Sequence, residues 1–312
     1  MVQDILLVEM SYLRKMKKLI TILTATYNRA HLLPDLYQSL CRQTSKEFDW
    51  VIIDDGSEDG TNELVDKWLQ NDNGFQIQYF YVSNGGKNRA INLGVKQVVT
   101  PYIMIVDSDD YLTDDAIEYL TNRLDDISSE VRLAGIAGLR GISKDESLHK
   151  LNFNRDCYVL ANNLERKKSG LEKDACEVFR TDLLLSHPFE VWDGEKFVPE
   201  EIVWNQLALE GYSLRWYNKV TCIVRYQEGG MTKGSWELLK KNPMGYASMY
   251  RQRIGLSKSW KDKFYNNVQL ITLSILGGHL TYAIYLKNLT ALLAFPFGCL
   301  IALRRKRQYA KN

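Results

Sequence analysis

Cysteine and histidine are sparse in this 312-residue sequence, and neither residue occurs at a metal-binding spacing. The five cysteines are scattered and include no C-x-x-C pair, which argues against a disulfide scaffold and a zinc ribbon. The four histidines include no H-x-x-x-H spacing, so nothing indicates zinc hydrolysis. This cysteine usage fits a reducing cytoplasmic compartment.

Three widespread catalytic motifs are also absent. The first strand-to-helix turn lacks G-x-G-x-x-G and the chain lacks G-x-x-x-x-G-K-[ST], which disfavours hydride transfer and P-loop phosphoryl transfer. The chain has no G-x-S-x-G, which disfavours an α/β hydrolase. A net charge of +2 provides no field that would favour nucleic acid as a partner.

Apolar runs alternate with amphipathic segments through the first third of the chain. We predict strands at residues 19–23, 49–54, 76–82 and 102–106, and the first three precede segments with helical spacing of apolar residues. This alternation predicts an α/β fold with a doubly wound, mostly parallel sheet. The polar loops that follow the strands should then gather at one edge, where open α/β sheets bind ligands.

The acidic block Asp107-Ser108-Asp109-Asp110 follows the fourth predicted strand. Asp107 and Asp109 point to the same side of an extended backbone and can share one hard divalent cation. An Asp-Ser-Asp sequence is equally typical of a solvated acidic turn. The stretch by itself leaves both interpretations open.

The second half is less regular. We predict strands at residues 174–180, 213–218 and 220–226, and a mobile glycine-rich loop at 227–234. A helix is predicted after Pro199, with Glu200 and Glu201 in its first turn. The helix dipole favours both glutamates there, which is sufficient reason for their presence without any catalytic role.

Four motifs, taken in order, resemble the inverting family 2 glycosyltransferases, whose fold is the GT-A nucleotide-diphospho-sugar transferase fold. The motifs are TATYNR at 24–29, DDGSEDGT at 54–61, NGGKNRAIN at 84–92 and DSDD at 107–110. The resemblance implies that Ala25 and Tyr27 pack on the nucleotide base and that Asp55 hydrogen-bonds uracil or its equivalent. An aromatic face and a carboxylate acceptor suit a base that carries an N–H group.

The same resemblance implies further contacts with the nucleotide sugar. Lys87 either places a positive charge near the diphosphate or is an ordinary solvated lysine. The other expected contacts come from Arg29, Asp107 and Ser108. Asp109 is the main expected ligand of Mn²⁺ or Mg²⁺, and Asp107 contacts the metal or the ribose. The cation would neutralise charge as the nucleoside diphosphate leaves.

An inverting displacement also needs a base that takes the proton from the acceptor hydroxyl. The family commonly uses the aspartate of a Glu-Asp pair, and the corresponding pair here is Glu200-Glu201. Glu201 therefore falls on the base position, with Glu200 as the alternative. The departure matters because glutamate has one more methylene. Processive synthases carry Q-x-x-R-W, whereas residues 212–216 read YSLRW, which favours transfer of one sugar per encounter.

The C-terminal segment is apolar and ends in a basic cluster at residues 304–307. We expect Pro296 and Gly298 to break its last apolar run, so no run reaches the roughly twenty residues of a spanning helix. A basic cluster beside an apolar run suits an anionic membrane surface. The alternative is a hairpin buried against the catalytic domain or against the partner in a homodimer.

The sequence thus predicts an N-terminal extension (1–15), a GT-A domain (16–235), a helical connector (236–268) and a membrane-associating tail (269–312). We expect a metal-dependent inverting enzyme that transfers one sugar from a nucleotide-diphosphate sugar to a hydroxyl of a glycan or lipid-linked acceptor. A UDP-sugar is the expected donor. Its expected setting is cell-surface polysaccharide synthesis at the cytoplasmic face of the membrane. The alternatives are a polyprenyl-phosphate sugar transferase and a non-catalytic nucleotide-sugar-binding protein.

Overall fold

The computed structural model describes residues 18–149, 151, 157–225, 235–284 and 289–310. The predicted extension at 1–15 and the glycine-rich loop at 227–234 lie outside these residues. The chain divides into two compact units. The first runs to Pro188 and resumes over Trp204–Gln227, and the second comprises Phe189–Val203 and the chain from Glu228 onward.

A nine-stranded sheet forms the centre of the first unit in the described part of the chain. Its strands are β1 (Ile20–Thr26), β2 (Phe48–Asp54), β3 (Gln76–Tyr81), β4 (Tyr102–Ile105), β5 (Tyr111–Leu112), β6 (Leu133–Gly141), β7 (Tyr158–Ala161), β8 (Ala175–Arg180) and β9 (Ser213–Ile223). The order is β3-β2-β1-β4-β8-β6-β9-β5, with β7 beside β9. Strands β1 to β4 pair in parallel, as predicted, whereas β8 lies antiparallel between β4 and β6.

Helices connect the parallel strands and build the second unit. In the first unit they are α1 (Leu33–Cys41), α2 (Thr61–Leu69), α3 (Lys87–Val95), α4 (Ala116–Leu124) and α5 (Thr181–Ser186). Helix α6 (Glu201–Leu209) begins in the second unit and continues into the first. The second unit also contains α7 (Ser235–Lys241), α8 (Pro243–Leu256), α9 (Trp260–Leu276), α10 (Leu280–Ile284) and α11 (Leu289–Tyr309).

Strands β1 and β2 are buried on both faces, which explains their mostly apolar sequences. Ile22 of β1 and Trp50 and Ile52 of β2 are fully buried. Parallel strands covered by helices read as apolar runs rather than as alternating patterns. Burial of each such side chain stabilises the fold by about 1.5–3 kcal/mol. Leu36 and Leu40 of α1, four residues apart, form part of the same core.

The antiparallel half of the sheet was harder to predict. Strands β5, β6 and β7 were not recognised, and the two strands predicted at 213–218 and 220–226 form the single strand β9. The predicted break between them fell at Lys219. Lys219 instead reaches Asp115, at 2.5 Å between Nζ and Oδ2, so its charge is paired while the strand continues.

Helix α11 packs on α9 through small residues. Thr290, Ala294, Gly298 and Ala302 are buried at four-residue intervals. A Cβ at Gly298 would lie 2.6 Å from Cγ2 of Ile271, so a larger residue would separate the helices. The helix is continuous through Pro296, so Pro296 and Gly298 interrupt the apolar sequence without ending the helix. Packing on α9 holds the chain on both sides of the proline, which offsets its missing N–H.

The opposite surface of α11 carries large apolar side chains. Leu292 is 72% exposed and Leu300 is 67% exposed, and Leu293, Phe297 and Leu303 are also exposed. The basic residues of the 304–307 cluster follow in the same helix. Within the described residues, no helix combines the length and hydropathy that a membrane span requires.

Candidate active site

The loops after β1 and β2 are joined by hydrogen bonds at one edge of the sheet. The amide of Asn28 donates to Oγ of Ser57 at 2.8 Å, and the amide of Glu58 donates to Oδ1 of Asn28 at 2.8 Å. Asn28 has a φ of +51°, a conformation that asparagine tolerates better than most residues. These bonds hold the first two sequence motifs side by side.

The Asp54-Asp55 pair connects the second and third motifs. Asp54 is fully buried and accepts hydrogen bonds from the Ser57 amide and the Tyr79 hydroxyl, both at 2.7 Å. It braces the turn. Asp55 accepts from the amides of Gly85 at 2.7 Å and Gly86 at 2.8 Å. The Gly85 and Gly86 amides are thus engaged by Asp55.

Gly56 allows these loops to approach closely. Its φ is +84°, and an added Cβ would lie 2.9 Å from the Asn84 nitrogen. Asn84 also donates through Nδ2 to the Asp55 backbone oxygen at 2.7 Å. A side chain at position 56 would be strained in its backbone and would push Asn84 away, so the loop contact depends on glycine.

The acidic block at the end of β4 is paired with basic side chains from a loop, a helix and a strand. Nζ of Lys87 lies 2.6 Å from Oδ1 of Asp107, and Nη1 of Arg29 lies 3.0 Å from Oδ2 of Asp109. Arg140 Nη2 lies 3.6 Å from Oδ2 of Asp107. Burial would raise the pKa of Asp107, but Lys87 and Arg140 outweigh it and hold that pKa well below its ordinary value.

Arg140 on β6 also holds the last acid of the block. Its Nη1 lies 3.1 Å from Oδ2 of Asp110, and its Nε donates to the Ala175 carbonyl at 2.9 Å. Burial raises the pKa of Asp110 to about 7, despite Arg140 and with a further increase from the charges of Asp107 and Asp109. Sequence reasoning missed Arg140 because β6 was not recognised as a strand.

Asp107 and Asp109 fit a divalent metal that a diphosphate helps to hold. Their carboxylates are 30% and 25% exposed, so both are accessible. Among the described residues, no cluster of three or more acidic, histidine or cysteine side chains could hold a metal by itself. Mg²⁺ is commonly bound by one or two carboxylates together with substrate phosphates and water, and two hard oxygen donors match that pattern.

The remaining predicted nucleotide contacts also lie on this edge. Ala25 is half-buried near the end of β1, and Tyr27 directly after it is 46% exposed. The exposed ring of a tyrosine at this position suits stacking on a planar base. Ser108 is buried within the acidic block.

The two glutamates proposed for the base position belong to the second unit. Glu201 begins α6, and its Oε1 accepts from Arg253 of α8, at 3.0 Å from Nε and 2.9 Å from Nη2. Next to Arg253 in sequence, Gln252 donates to the Ile202 carbonyl at 2.8 Å, which also fixes this turn. Arg253 was not singled out for this role from the sequence because it lies in the predicted connector.

Comparison with known families gives a match over the first unit. The model described as Glycosyl transferase family 2 matches residues 21–185, more than half of the chain. The chain is 28% identical over 191 residues to poly(ribitol-phosphate) beta-N-acetylglucosaminyltransferase TarS of Staphylococcus aureus, covering 58% of this chain and 30% of that protein. It is 26% identical to poly-beta-1,6-N-acetyl-D-glucosamine synthase of Staphylococcus epidermidis, covering 82% of this chain and 66% of the synthase.

Solved structures share the fold at low sequence identity. S. aureus TarS 1-349 in complex with UDP-GlcNAc has a TM-score of 0.56, 14% identity and 92% coverage of both chains. The mannosyltransferase PcManGT of Pyrobaculum calidifontis, in complex with GDP-Man and Mn²⁺, has a TM-score of 0.55 and 16% identity, with coverage of 95% of this chain and 84% of that chain. The chain spans only 30%, 23% and 38% of the first three curated relatives that it matches.

Proposed function

Because the chain belongs to glycosyltransferase family 2, we propose that it transfers one sugar from a nucleotide diphosphate sugar to a hydroxyl group, with inversion at the anomeric carbon. The donor is a UDP-sugar, and the acceptor is a lipid-linked glycan in cell-surface polysaccharide synthesis. The names of the relatives support a polysaccharide product, and the UDP-GlcNAc complex of a structural neighbour supports this class of donor.

The observation that carries the proposal is the pairing of the first two acids of the DSDD motif, Asp107 and Asp109, each with its own basic side chain. Lys87 pairs with Asp107 and Arg29 pairs with Asp109 at one edge of the sheet. Such a set presents carboxylates to a divalent cation and positive charges to a diphosphate. A solvated acidic turn needs no such basic partners from separate loops.

Each residue then has a distinct role. Tyr27 stacks on the base, and a lone pair of Asp55 that the loop amides leave free accepts from the base N–H. Asp107 and Asp109 would hold Mn²⁺ or Mg²⁺, and the bound ion would supply Lewis-acid stabilisation to a departing diphosphate. Lys87 adds positive charge to the same leaving group.

Glu201 takes the proton from the acceptor hydroxyl as that oxygen attacks. Arg253 holds the carboxylate through two hydrogen bonds from one guanidinium, which fixes the orientation of the proposed base. Glu200, one residue earlier, is the alternative base.

A screen of nucleotide-sugar donors by thermal shift tests the donor assignment. A ligand that binds only the folded state raises the apparent stability, by about 2.7 kcal/mol at a hundredfold excess over Kd. We expect UDP-sugars with Mn²⁺ to raise the melting temperature more than GDP-sugars with Mn²⁺. A screen in which no nucleotide sugar stabilises the protein would contradict the proposal.

We further propose that α11 lies on the cytoplasmic surface of the membrane. Its small residues face α9 while Leu292, Leu300 and other large apolar residues face outward. Apolar side chains beside the 304–307 basic cluster suit a surface with an apolar interior and anionic headgroups. Charge complementarity therefore favours an anionic lipid surface over a neutral one.

Vesicle flotation tests this assignment. The protein should float with phosphatidylglycerol vesicles, and Leu292→Ser combined with Leu300→Ser should reduce the floated fraction. The matched control is Val131→Ser, which changes an exposed apolar residue of the first unit. Equal flotation of the double variant and the parent would contradict the membrane role of α11.

A further inference from the structure

A cleft in the second unit has no role in the chemistry described above. It is open, has a volume of about 420 Å³, and is lined by Trp192, Arg251, His279, Thr281 and Tyr282. Its volume lies within the range of about 300–1,000 Å³ that is usual for small-molecule sites. All five residues belong to the unit that also contains Glu201 and Arg253.

A hydrogen-bond network fixes one wall of this cleft. Nε1 of Trp192 donates to Oγ of Ser248 at 3.0 Å, and Ser248 donates to Oε1 of Glu190 at 2.8 Å. The Tyr282 hydroxyl lies 3.1 Å from the same Ser248 oxygen. The Trp192 and Tyr282 rings meet edge to face, with centroids 5.1 Å apart. Both aromatic side chains are therefore held in place before any ligand arrives.

The basic side chains of the cleft are not satisfied in the same way. The half-buried Arg251 guanidinium lies 4.4 Å from the Tyr282 ring centroid, and it makes no ion pair or side-chain hydrogen bond with any residue that the structure describes. On the same helix, Arg253 is paired with Glu201. The His279 ring contacts Trp192, at 5.3 Å between centroids, and makes no hydrogen bond within the described ranges.

Carboxylates on the neighbouring segment are already engaged elsewhere. Glu190 accepts from Ser248, and Glu195 accepts from the amides of Met244 at 2.7 Å and Gly245 at 2.8 Å. Neither of these bonds involves Arg251. A guanidinium whose donors are unmet beside an aromatic wall is a ready partner for a planar or tetrahedral anion, which it binds through paired N–H donors.

We propose that this cleft binds a phosphate-bearing sugar unit of the acceptor. Arg251 binds the phosphate oxygens, His279 and Thr281 supply further hydrogen bonds, and Trp192 contacts the apolar edge of the sugar. The inference rests on the proposed function because it concerns the acceptor of that reaction. The candidate donor contacts lie in the first unit, whereas the cleft shares its unit with Glu201, the residue assigned to the acceptor proton.

Calorimetric titration of the full chain tests the cleft directly. UDP and Mn²⁺ are first added to saturation so that the donor site is filled, and glucose 1-phosphate is then compared with glucose. Loss of one charge-assisted, bidentate contact corresponds to about tenfold or more in Kd, so glucose 1-phosphate should bind at least about tenfold more tightly. Arg251→Met should remove this preference, and Arg251→Lys should retain part of it.

Lys258→Met is the matched control, because it removes an exposed positive charge from the same unit. It should change the Kd of glucose 1-phosphate by less than about twofold, since surface charges contribute little. Equal weakening in Lys258→Met and Arg251→Met would overturn the site. So would equal binding of glucose and glucose 1-phosphate to the parent protein.

Two further measurements, vesicle binding and nucleotide-sugar hydrolysis, distinguish this inference from a lipid-phosphate site and from failure of the proposed function. Arg251-dependent binding to phosphatidylglycerol vesicles without binding of glucose 1-phosphate would overturn the sugar assignment in favour of a lipid phosphate. Hydrolysis of a nucleotide sugar by the parent protein reports on the proposed function independently. A parent protein that hydrolyses the donor but does not bind glucose 1-phosphate would refute the cleft alone.

Discussion

Replacing Asp55 with asparagine should destabilise the first unit by about 2–4 kcal/mol. The Asp55 carboxylate accepts from two backbone amides, at 2.7 and 2.8 Å, and is 5% exposed. Asparagine offers one acceptor oxygen, so one amide faces an NH₂ group and loses its partner. A lost hydrogen bond to a charged group costs about 1.5–3 kcal/mol, and the remaining bond becomes neutral and weaker.

Urea unfolding followed by tryptophan fluorescence measures this loss, because Trp50 lies in the core of the same unit. Asp59→Asn is the matched control. Asp59 is an exposed aspartate of the same loop that accepts from the Ala30 amide at 2.8 Å and from the Thr61 hydroxyl at 2.6 Å. Asparagine can keep the first bond through its oxygen, and its NH₂ group can donate to the Thr61 hydroxyl in place of the second. We expect a cost of about 1 kcal/mol or less for the control. Equal losses in the two variants would refute the bracing role of Asp55.

Three other predictions concern packing, pH and the base. Gly298→Val should lower the melting temperature of the second unit, at a cost of about 1–3 kcal/mol, because its side chain would collide with Ile271. Gly255→Ala should leave the melting temperature unchanged, because an added Cβ at Gly255 meets nothing within 4 Å. The free energy of unfolding of the metal-free protein should fall as pH rises from about 4 through 7, and Asp110 should contribute up to about 1.4 kcal/mol per pH unit to this fall. Asp110→Asn should remove the Asp110 contribution, as measured by urea unfolding at each pH. Glu201→Gln should lower kcat for transfer to a hydroxyl acceptor by about 10²–10⁴ while the Kd for the donor is unchanged.

The direction of the pH effect follows from the raised pKa of Asp110. Its carboxyl is protonated in the folded state up to a pH of about 7, whereas in the unfolded chain it ionises near its ordinary value of about 3.9. Its contribution to stability is therefore complete below the unfolded pKa and is lost as pH rises through the folded one. A stability profile of Asp110→Asn parallel to that of the parent between pH 4 and 7 would contradict this assignment.

Glu200→Gln is the control for the base, and we expect less than about a tenfold effect on kcat. A larger loss of kcat in Glu200→Gln than in Glu201→Gln would assign the base to Glu200. A mild effect of Glu201→Gln would favour a phosphate acceptor, which needs no strong base, and thus the polyprenyl-phosphate alternative.

The parallel half of the fold was predictable because its signals are local. Residues 50–53 form an apolar run and the Asp54-Asp55 turn follows at once, so the strand and the loop that it positions can both be read from one short stretch. The DSDD block could be placed at the sheet edge for the same reason. Because each of these loops follows the carboxyl end of a parallel strand, they are predicted to share that edge of the sheet.

The basic partners of the acids could not be predicted, because they depend on tertiary contacts. Arg140 lies thirty residues after Asp110 on a strand that pairs with β8 and β9, and no local pattern connects the two. Arg253 reaches Glu201 across a separation of fifty-two residues. The engagement of the Gly85 and Gly86 amides by Asp55 was likewise invisible, since a free loop and a braced loop have the same sequence.

The most direct test of the proposed function measures Mn²⁺ binding and nucleotide-sugar turnover in Asp109→Asn. Asp66→Asn, an exposed aspartate on α2, serves as the control. We predict that Asp109→Asn weakens Mn²⁺ binding measured by electron paramagnetic resonance and lowers Mn²⁺-dependent donor turnover by about a hundredfold or more, while the control matches the parent. Unchanged Mn²⁺ binding and unchanged turnover in Asp109→Asn would contradict the assignment of the acidic block as the metal site of a glycosyltransferase.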